Sequence, residues 1–174
     1  LVIGAETLSR VVDIHDRDSM IFSDGAGATI IEKVEDEHDN GIIAHESATY
    51  ATDEAFYLTF EASYNQELKR ETRYIKMNGR KIYNFALSYV PQAMKNCLDK
   101  SGYGIDEISK IFIHQANEKM DEAIIQRFYK LFGKEVPKDV MPMTIDKLGN
   151  SSVATVPTLF DVVSKGKLDG HTID

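Results

Sequence analysis

Apolar residues along this chain fall into two kinds of cluster, short continuous runs and longer stretches at helical spacing. The run Leu1-Val2-Ile3-Gly4-Ala5 reads as a buried strand already in mid-fold. Residues 6–20 are polar and mixed, which predicts a loop with a short turn. Asp24-Gly25-Ala26-Gly27-Ala28 is a small-residue turn leading into Thr29-Ile30-Ile31-Glu32-Lys33-Val34, a β-branched strand pattern. The charged stretch from Glu35 ends in a turn-forming Asn40-Gly41, and Ile42 to Tyr50 reads as the next strand. Together these predict a hairpin over 26–50. Residues 51–76 are polar and aromatic and show no usable period.

Helical spacing begins after Asn78, a cap residue before Gly79. Ile82, Phe85, Ala86, Tyr89, Val90, Ala93, Met94, Cys97 and Leu98 then mark one face. Pro91 lacks a backbone donor, so it is expected to kink or divide this helix. Gly102 is the stop. Lys110 to His114 reads as a strand built on Ile111, Phe112 and Ile113. Asn117 caps a second helix with Met120, Ala123, Ile124, Phe128 and Leu131 on its face, ended by Gly133. Met141 to Ile145 reads as another strand. Gly149-Asn150-Ser151-Ser152 is a turn, followed by a helix whose core face is Val153, Val156, Leu159, Phe160 and Val163. This order of strands, helix, strand, helix, strand, helix predicts a layered α/β fold. There is no internal repeat.

Composition narrows the possibilities. The 174 residues suit one domain, 43% hydrophobic and 28% charged. No apolar run approaches the ~18–20 residues of a membrane span. One Cys excludes a disulfide framework within the chain and a Cys-based zinc site. With 20 Lys and Arg against 28 Asp and Glu, the net charge is −8. That argues against general nucleic-acid binding, which needs a basic face. An acidic partner would have to meet a local basic patch. There is no initiator Met and no signal-peptide pattern, and the end after Lys165 is turn-like, so a piece of a longer protein is expected.

Two residues stand out for chemistry. His15, His38, His45 and His171 lie in polar surroundings and read as solvated. His114 follows an apolar strand and precedes a helix, at the carboxyl end of a strand, where sites gather in α/β sheets. It could serve chemistry there, or be a core His bonded to backbone. Asn150 could be a helix cap, with Ser151 and Ser152 as further choices. It could equally be an oxyanion donor, because a carboxamide stabilises charge without titrating. Other candidates are weaker. Asp24 to Ala28 only partly resembles a phosphate loop and lacks Gly-Lys-Ser/Thr, so its small residues are read as allowing close backbone packing. Cys97 sits in a helical apolar pattern without a neighbouring His and reads as structural. Ser151 or Ser152 with His114 lacks the Gly-x-Ser-x-Gly setting of a hydrolase. No His, Asp and Glu cluster has metal-ligand spacing.

Three segments resemble one family. Phe22-Ser23-Asp24-Gly25-Ala26-Gly27-Ala28, Ile113-His114-Gln115-Ala116-Asn117 and Gly149-Asn150-Ser151-Ser152-Val153-Ala154-Thr155-Val156-Pro157 are similar, in order and rough spacing, to β-ketoacyl-acyl-carrier-protein synthase III. Leu1 to Arg10 and Met77-Asn78-Gly79-Arg80 are similar as well. The resemblance implies a thiolase-like fold of two βαβαβ-type halves, each with a mixed five-stranded sheet. Residues 1–10 would end the N-terminal half and 11–174 would form the C-terminal half, stopping before its last two strands. It implies a decarboxylative Claisen condensation of an acyl-CoA primer with malonyl-acyl-carrier protein. His114 and Asn150 would be the catalytic His and Asn that stabilise the enolate, and the nucleophilic Cys would lie before residue 1. His114 would act neutral, with a depressed pKa.

Softer implications follow by position. Gly79, Arg80, Tyr83, Asn117 and Lys119 match the pantetheine tunnel and a phosphate contact. Lys119 stands where an Arg is usual, losing the planar fork. Lys119, Arg127 and Lys130 would form a basic patch for acyl-carrier protein, or a plain solvated face. Gln115 and Ala116 would be scaffold. The family implies cytoplasmic, metal-free homodimers with no permanently bound cofactor and CoA thioester as substrate, no nucleic-acid or membrane partner, and dimer contacts near the strand at 1–5. The other readings are a non-catalytic thiolase-fold module binding CoA or a partner, and another thiolase-superfamily condensing enzyme.

Overall fold

The computed structural model describes residues 1–35 and 41–173. Strands β1 (Val2–Thr7) and β2 (Asp24–Thr29) pair antiparallel, with Gly4 opposite Gly27 and Ala5 opposite Ala26. The small-residue stretch expected as a turn is therefore itself the strand. The reason is close packing. A Cβ on Gly27 would lie 2.6 Å from Pro157, so only a side-chain-free strand fits under that helix. The expected hairpin over 26–50 does not form. Residues 30–35 and 41–50 have no strand partner among the described residues, and Asp36 to Asn40 of the predicted turn lie outside them.

The unassigned stretch 51–76 contains a second hairpin, β3 (Leu58–Glu61) with β4 (Tyr74–Met77). Its side chains are mostly half-buried or exposed, which is why no clean alternation marks it. Helix α1 (Gly79–Ser101) follows at once, with the Asn78 side chain accepting from the Lys81 N–H and Gly102 stopping it. Pro91 is buried inside α1, and the helix runs through it as one element of 23 residues, so of the two expected outcomes, a kink or a division, the division does not occur. Packing against α2 holds what the missing donor weakens.

Helix α2 (Glu118–Lys130) buries Met120, Ile124, Ile125, Phe128 and Tyr129. Ala86 and Leu87 of α1 pack with Met120 and Ile124, while Ile105 and Val140 pack with Ile125, Phe128 and Tyr129. Each such Val, Leu, Ile, Met or Phe side chain contributes roughly 1.5–3 kcal/mol by leaving water. Leu131, expected on this face, lies past the helix end and is half exposed. The strand expected over 141–145 does not form: residues 141–144 are irregular, and a short helix α3 (Ile145–Leu148) begins at its last position. Helix α4 (Thr155–Ser164) buries Leu159 and Val163, whereas Val153, Val156 and Phe160 of the expected core face are exposed. Phe160 meets Phe112 edge-on instead, with ring centroids 5.4 Å apart.

The mixed five-stranded sheet is not assembled among the described residues. They carry two two-stranded sheets and one parallel bridge, Phe22 to Asn150. The segment at 110–114 keeps a single ladder-like bond, Ile111 N–H to the Val140 carbonyl at 2.8 Å. One bond does not make a strand, because a ladder needs consecutive pairs. The strand at residues 1–5, expected to be buried, is instead largely exposed, with Val2 and Ile3, on its two opposite faces, both more than half open.

Candidate active site

Two loops converge on one cavity. The first runs from Leu148 to Ala154. Gly149 has φ +66° and ψ −166°, a conformation closed to other residues without strain, and a Cβ there would sit 3.1 Å from Ser23 Cβ. This sharp turn lets Asn150 lie beside Phe22. The Asn150 N–H donates to the Ile21 carbonyl at 2.8 Å, and the Ser23 N–H donates to the Asn150 carbonyl at 2.9 Å. The Ser23 hydroxyl closes the same corner by donating to the Leu148 carbonyl at 2.6 Å.

Asn150 itself is 5% exposed. Its Oδ1 accepts from the Ser152 N–H at 2.9 Å. The Asn150 side chain thus closes a local turn and does not cap α4, whose preceding residue is Ala154. With the acceptor end engaged, the amide orientation is set and the donor end, Nδ2, is left for the cavity. The helix-cap reading of Asn150 is thus replaced by a turn-closing role, which leaves its amide N–H group free to donate. Ser152 has φ +52°, uncommon outside glycine, and this bend turns its backbone toward His114.

The second loop carries His114 to Asn117. Gln115 is fully buried and anchors it. Gln115 Nε2 donates to the Pro142 carbonyl at 2.9 Å, and Oε1 accepts from the Thr144 N–H at 2.9 Å and its hydroxyl at 3.2 Å. Asn117 caps α2, accepting from the Met120 N–H at 3.2 Å. His114 is exposed to solvent, with protein packed along part of its ring. Desolvation holds its pKa below the ordinary imidazole value, and a bond with the Ser152 backbone offsets part of that. The ring is therefore biased toward the neutral form.

Behind this loop, Asp121 is fully buried with neither carboxyl oxygen hydrogen-bonded. Burial raises its pKa to about 7, against the backbone amides of Asn117 and Ala116, which favour the charged form, and with a small push from Glu118. Nothing in the pattern singles out Asp121, since an acid in the first turn of a helix is ordinary.

The cavity between the loops measures about 320 Å³. Gly79, Tyr83, Asn117 and Asn150 line it, and so does Ala116. The remaining wall was not legible. It comes from the one-turn segment Arg17–Ile21 and from Met77 and Met120. Arg80 and Lys119 are exposed and do not line the cavity. His114 does not line the cavity either; its ring meets the Ser152 backbone, two residues past Asn150.

The basic residues of α2, Lys119, Arg127 and Lys130, are all exposed, and Arg127 also donates from Nη1 to the Leu87 carbonyl at 2.8 Å, tying α2 to α1. Cys97 is half-buried and lines a different, wide apolar cavity of about 470 Å³ with Met94 and Leu98. Among the described residues, no group of three or more His, Cys, Asp and Glu could hold a metal ion. No helix among them is long and apolar enough to cross a membrane.

Comparison with known proteins places this geometry. Residues 1–51 match the family described as 3-oxoacyl-[acyl-carrier-protein (ACP)] synthase III, and residues 98–172 match that family's C-terminal region. The β-ketoacyl-[acyl-carrier-protein] synthase III of Streptococcus gordonii is 33% identical over 98% of this chain and 52% of its own length. The corresponding protein 1 of Halalkalibacterium halodurans is 32% identical over 99% of this chain and 50% of its own. The chain thus spans about half the length of the curated relatives it matches. Among solved structures, 3-oxoacyl-[acyl-carrier-protein] synthase III from Aquifex aeolicus is 29% identical, with a TM-score of 0.71 over 97% of this chain and 49% of that one. The Pseudomonas aeruginosa enzyme, at 22% identity, shares the fold with a TM-score of 0.75 over 97% of this chain and 50% of that one. These likenesses give the chain the α/β thiolase-like fold. By sequence and by fold, it belongs to the 3-oxoacyl-[acyl-carrier-protein] synthase III family.

Proposed function

We propose that this chain is the C-terminal half of a condensing enzyme that starts fatty-acid synthesis. It joins an acyl-CoA primer to malonyl-acyl-carrier protein by decarboxylative Claisen condensation. One observation carries this reading: Asn150 lines a cavity with its acceptor end already engaged, and His114 meets the backbone of Ser152, two residues further along the same loop.

The chemistry suits that arrangement. When the malonyl thioester loses carbon dioxide, the electron pair of the broken C–C bond moves onto the thioester oxygen. Two aimed N–H donors, Asn150 Nδ2 and a neutral His114 ring, stabilise that oxyanion as the charge develops. The enolate carbon then attacks the acyl thioester of a Cys nucleophile, and the Cys sulfur leaves. Cys97 cannot be that nucleophile, because it lines another cavity. The acyl-accepting Cys lies outside these residues. Residues 1–10 close the half that carries it, and residues 11–174 supply His114, Asn150 and the tunnel wall.

The pantetheine arm runs along Gly79, Tyr83 and Asn117. Arg80 and Lys119, exposed on α1 and α2, meet the phosphates at the entrance. The acyl-carrier protein docks through Lys119 and Lys130, with Arg127 a weaker contributor because Leu87 already occupies part of its guanidinium. The enzyme works in the cytoplasm as a homodimer and needs no resident cofactor or metal. The free edge of β1, with Val2 and Ile3 exposed beside it, supports a strand partner from a second copy.

The complete reading frame, given acetyl-CoA and malonyl-acyl-carrier protein, should release carbon dioxide and a 3-oxoacyl product. Binding of CoA without either half-reaction would support a non-catalytic module instead.

A further inference from the structure

The segment Arg17–Ile21 that walls the cavity rests on a buried cluster of charges. Lys76 of β4 is 5% exposed. Its ammonium donates to Asp13 Oδ2 at 2.6 Å and to Asp16 Oδ2 at 3.0 Å, and lies 3.5 Å from the centre of the Tyr64 ring. Asp13, 1% exposed, also accepts from the N–H groups of His15 and Tyr64 and from the Ser63 hydroxyl. Buried ion pairs persist only when the remaining lone pairs are met, and here Asp13 is surrounded by donors. Burial alone would raise the Asp13 pKa. Lys76 and the other donors more than reverse this and hold its carboxyl well below the usual carboxylate range.

Asp16 links this cluster to the cavity. While Oδ2 accepts from the Lys76 ammonium, Oδ1 accepts from the Asp18 N–H at 3.0 Å and caps the turn. That turn presents Arg17, Asp18, Met20 and Ile21 to the cavity. On the other side, the residue after Lys76 is Met77, which lines the cavity with Gly79. A single side chain thus ties together two walls that are about sixty residues apart in sequence.

We propose that Lys76 is a positioning residue for this cavity: by clamping Asp16 and Asp13 to β4, it fixes the Arg17–Ile21 wall against Met77 and so sets the fit of the pantetheine arm. This rests on the reading of the cavity as a thioester site, but the clamp itself can be tested without it.

The experiment uses the complete reading frame with three variants, Lys76→Met, Lys76→Arg and Asp16→Ala. Amide hydrogen exchange is followed at Asp18, Ser19 and Phe22, beside KM and kcat with acetyl-CoA. Lys76→Met should speed exchange at these amides by about tenfold or more and leave the α2 amides alone. It should raise KM about tenfold with kcat within about twofold. Lys76→Arg should restore most of both. Asp16→Ala leaves the Lys76–Asp13 pair in place, so it should loosen the same turn even if Lys76→Met fails to fold. Unchanged exchange at residues 16–22 in a folded variant overturns the clamp, as does faster exchange spread evenly over the chain. A wild-type protein without turnover, combined with local loosening in the variants, would overturn the thioester reading and leave the clamp standing.

Discussion

The two loops of the candidate site are held in opposite ways. The Asn150 loop is fixed by backbone: two bonds to Ile21 and Ser23, a Gly149 bend that tolerates no side chain, and an Asn oxygen engaged with Ser152. The His114 loop is fixed by a buried side chain, Gln115, and has an unpaired carboxyl, Asp121, underneath it. One loop is over-determined. The other combines a strong anchor with a costly buried group. The contrast separates what places a donor from what sets its local electrostatics.

Removing a donor should have the largest effect. In the complete protein, His114→Ala should slow malonyl decarboxylation by ~10²–10³-fold, the usual loss for one oxyanion donor. A loss within a few-fold, measured as carbon dioxide release, would leave His114 a structural residue.

Next comes the buried carboxyl. In the folded chain Asp121 keeps its proton up to about pH 7, whereas an unfolded Asp releases it near pH 4. Between those values unfolding releases a proton, so rising pH favours the unfolded state. Asp121→Asn removes this dependence. Its stability advantage over wild type should grow as pH rises from 4 to 7, to on the order of 3–4 kcal/mol, and then level off. Denaturant unfolding at several pH values checks this, and a difference independent of pH contradicts it.

The Asn150 loop should fail by geometry. Gly149→Ala places a Cβ 3.1 Å from Ser23 at positive φ. It should cost about 1–3 kcal/mol in denaturant unfolding and lower decarboxylation more than acyl transfer. The smallest effect falls on the α2 cap. Asn117→Ala should cost about 1 kcal/mol, and Asn117→Asp should recover most of it.

Much of this was legible in the sequence, for a physical reason. Helices α1 and α2 make their own hydrogen bonds, so Asn78, Asn117 and the spaced apolar positions announce them locally. Strands depend on neighbours. Thr29 to Val34 and Ile42 to Tyr50 carry β-branched patterns but find no partner among the described residues, while Gly25 to Ala28, with almost no side chains, does. Gly79, Tyr83 and Asn117, beside helix starts, could be singled out by motif, and they line the cavity. Arg17, Met20 and Lys76 could not, because their roles arise from contacts between distant segments. Asp121 gave no signal, since its burial is set by packing from outside its helix.

The most direct test is Asn150→Ala in the complete reading frame, with the two half-reactions followed separately. If Asn150 Nδ2 is the enolate donor, acyl transfer from acyl-CoA should stay near wild type while malonyl decarboxylation falls by ~10²–10³-fold. Equal loss of both half-reactions in a folded variant, or no loss in either, would contradict that role and leave Asn150 a residue that only shapes its turn.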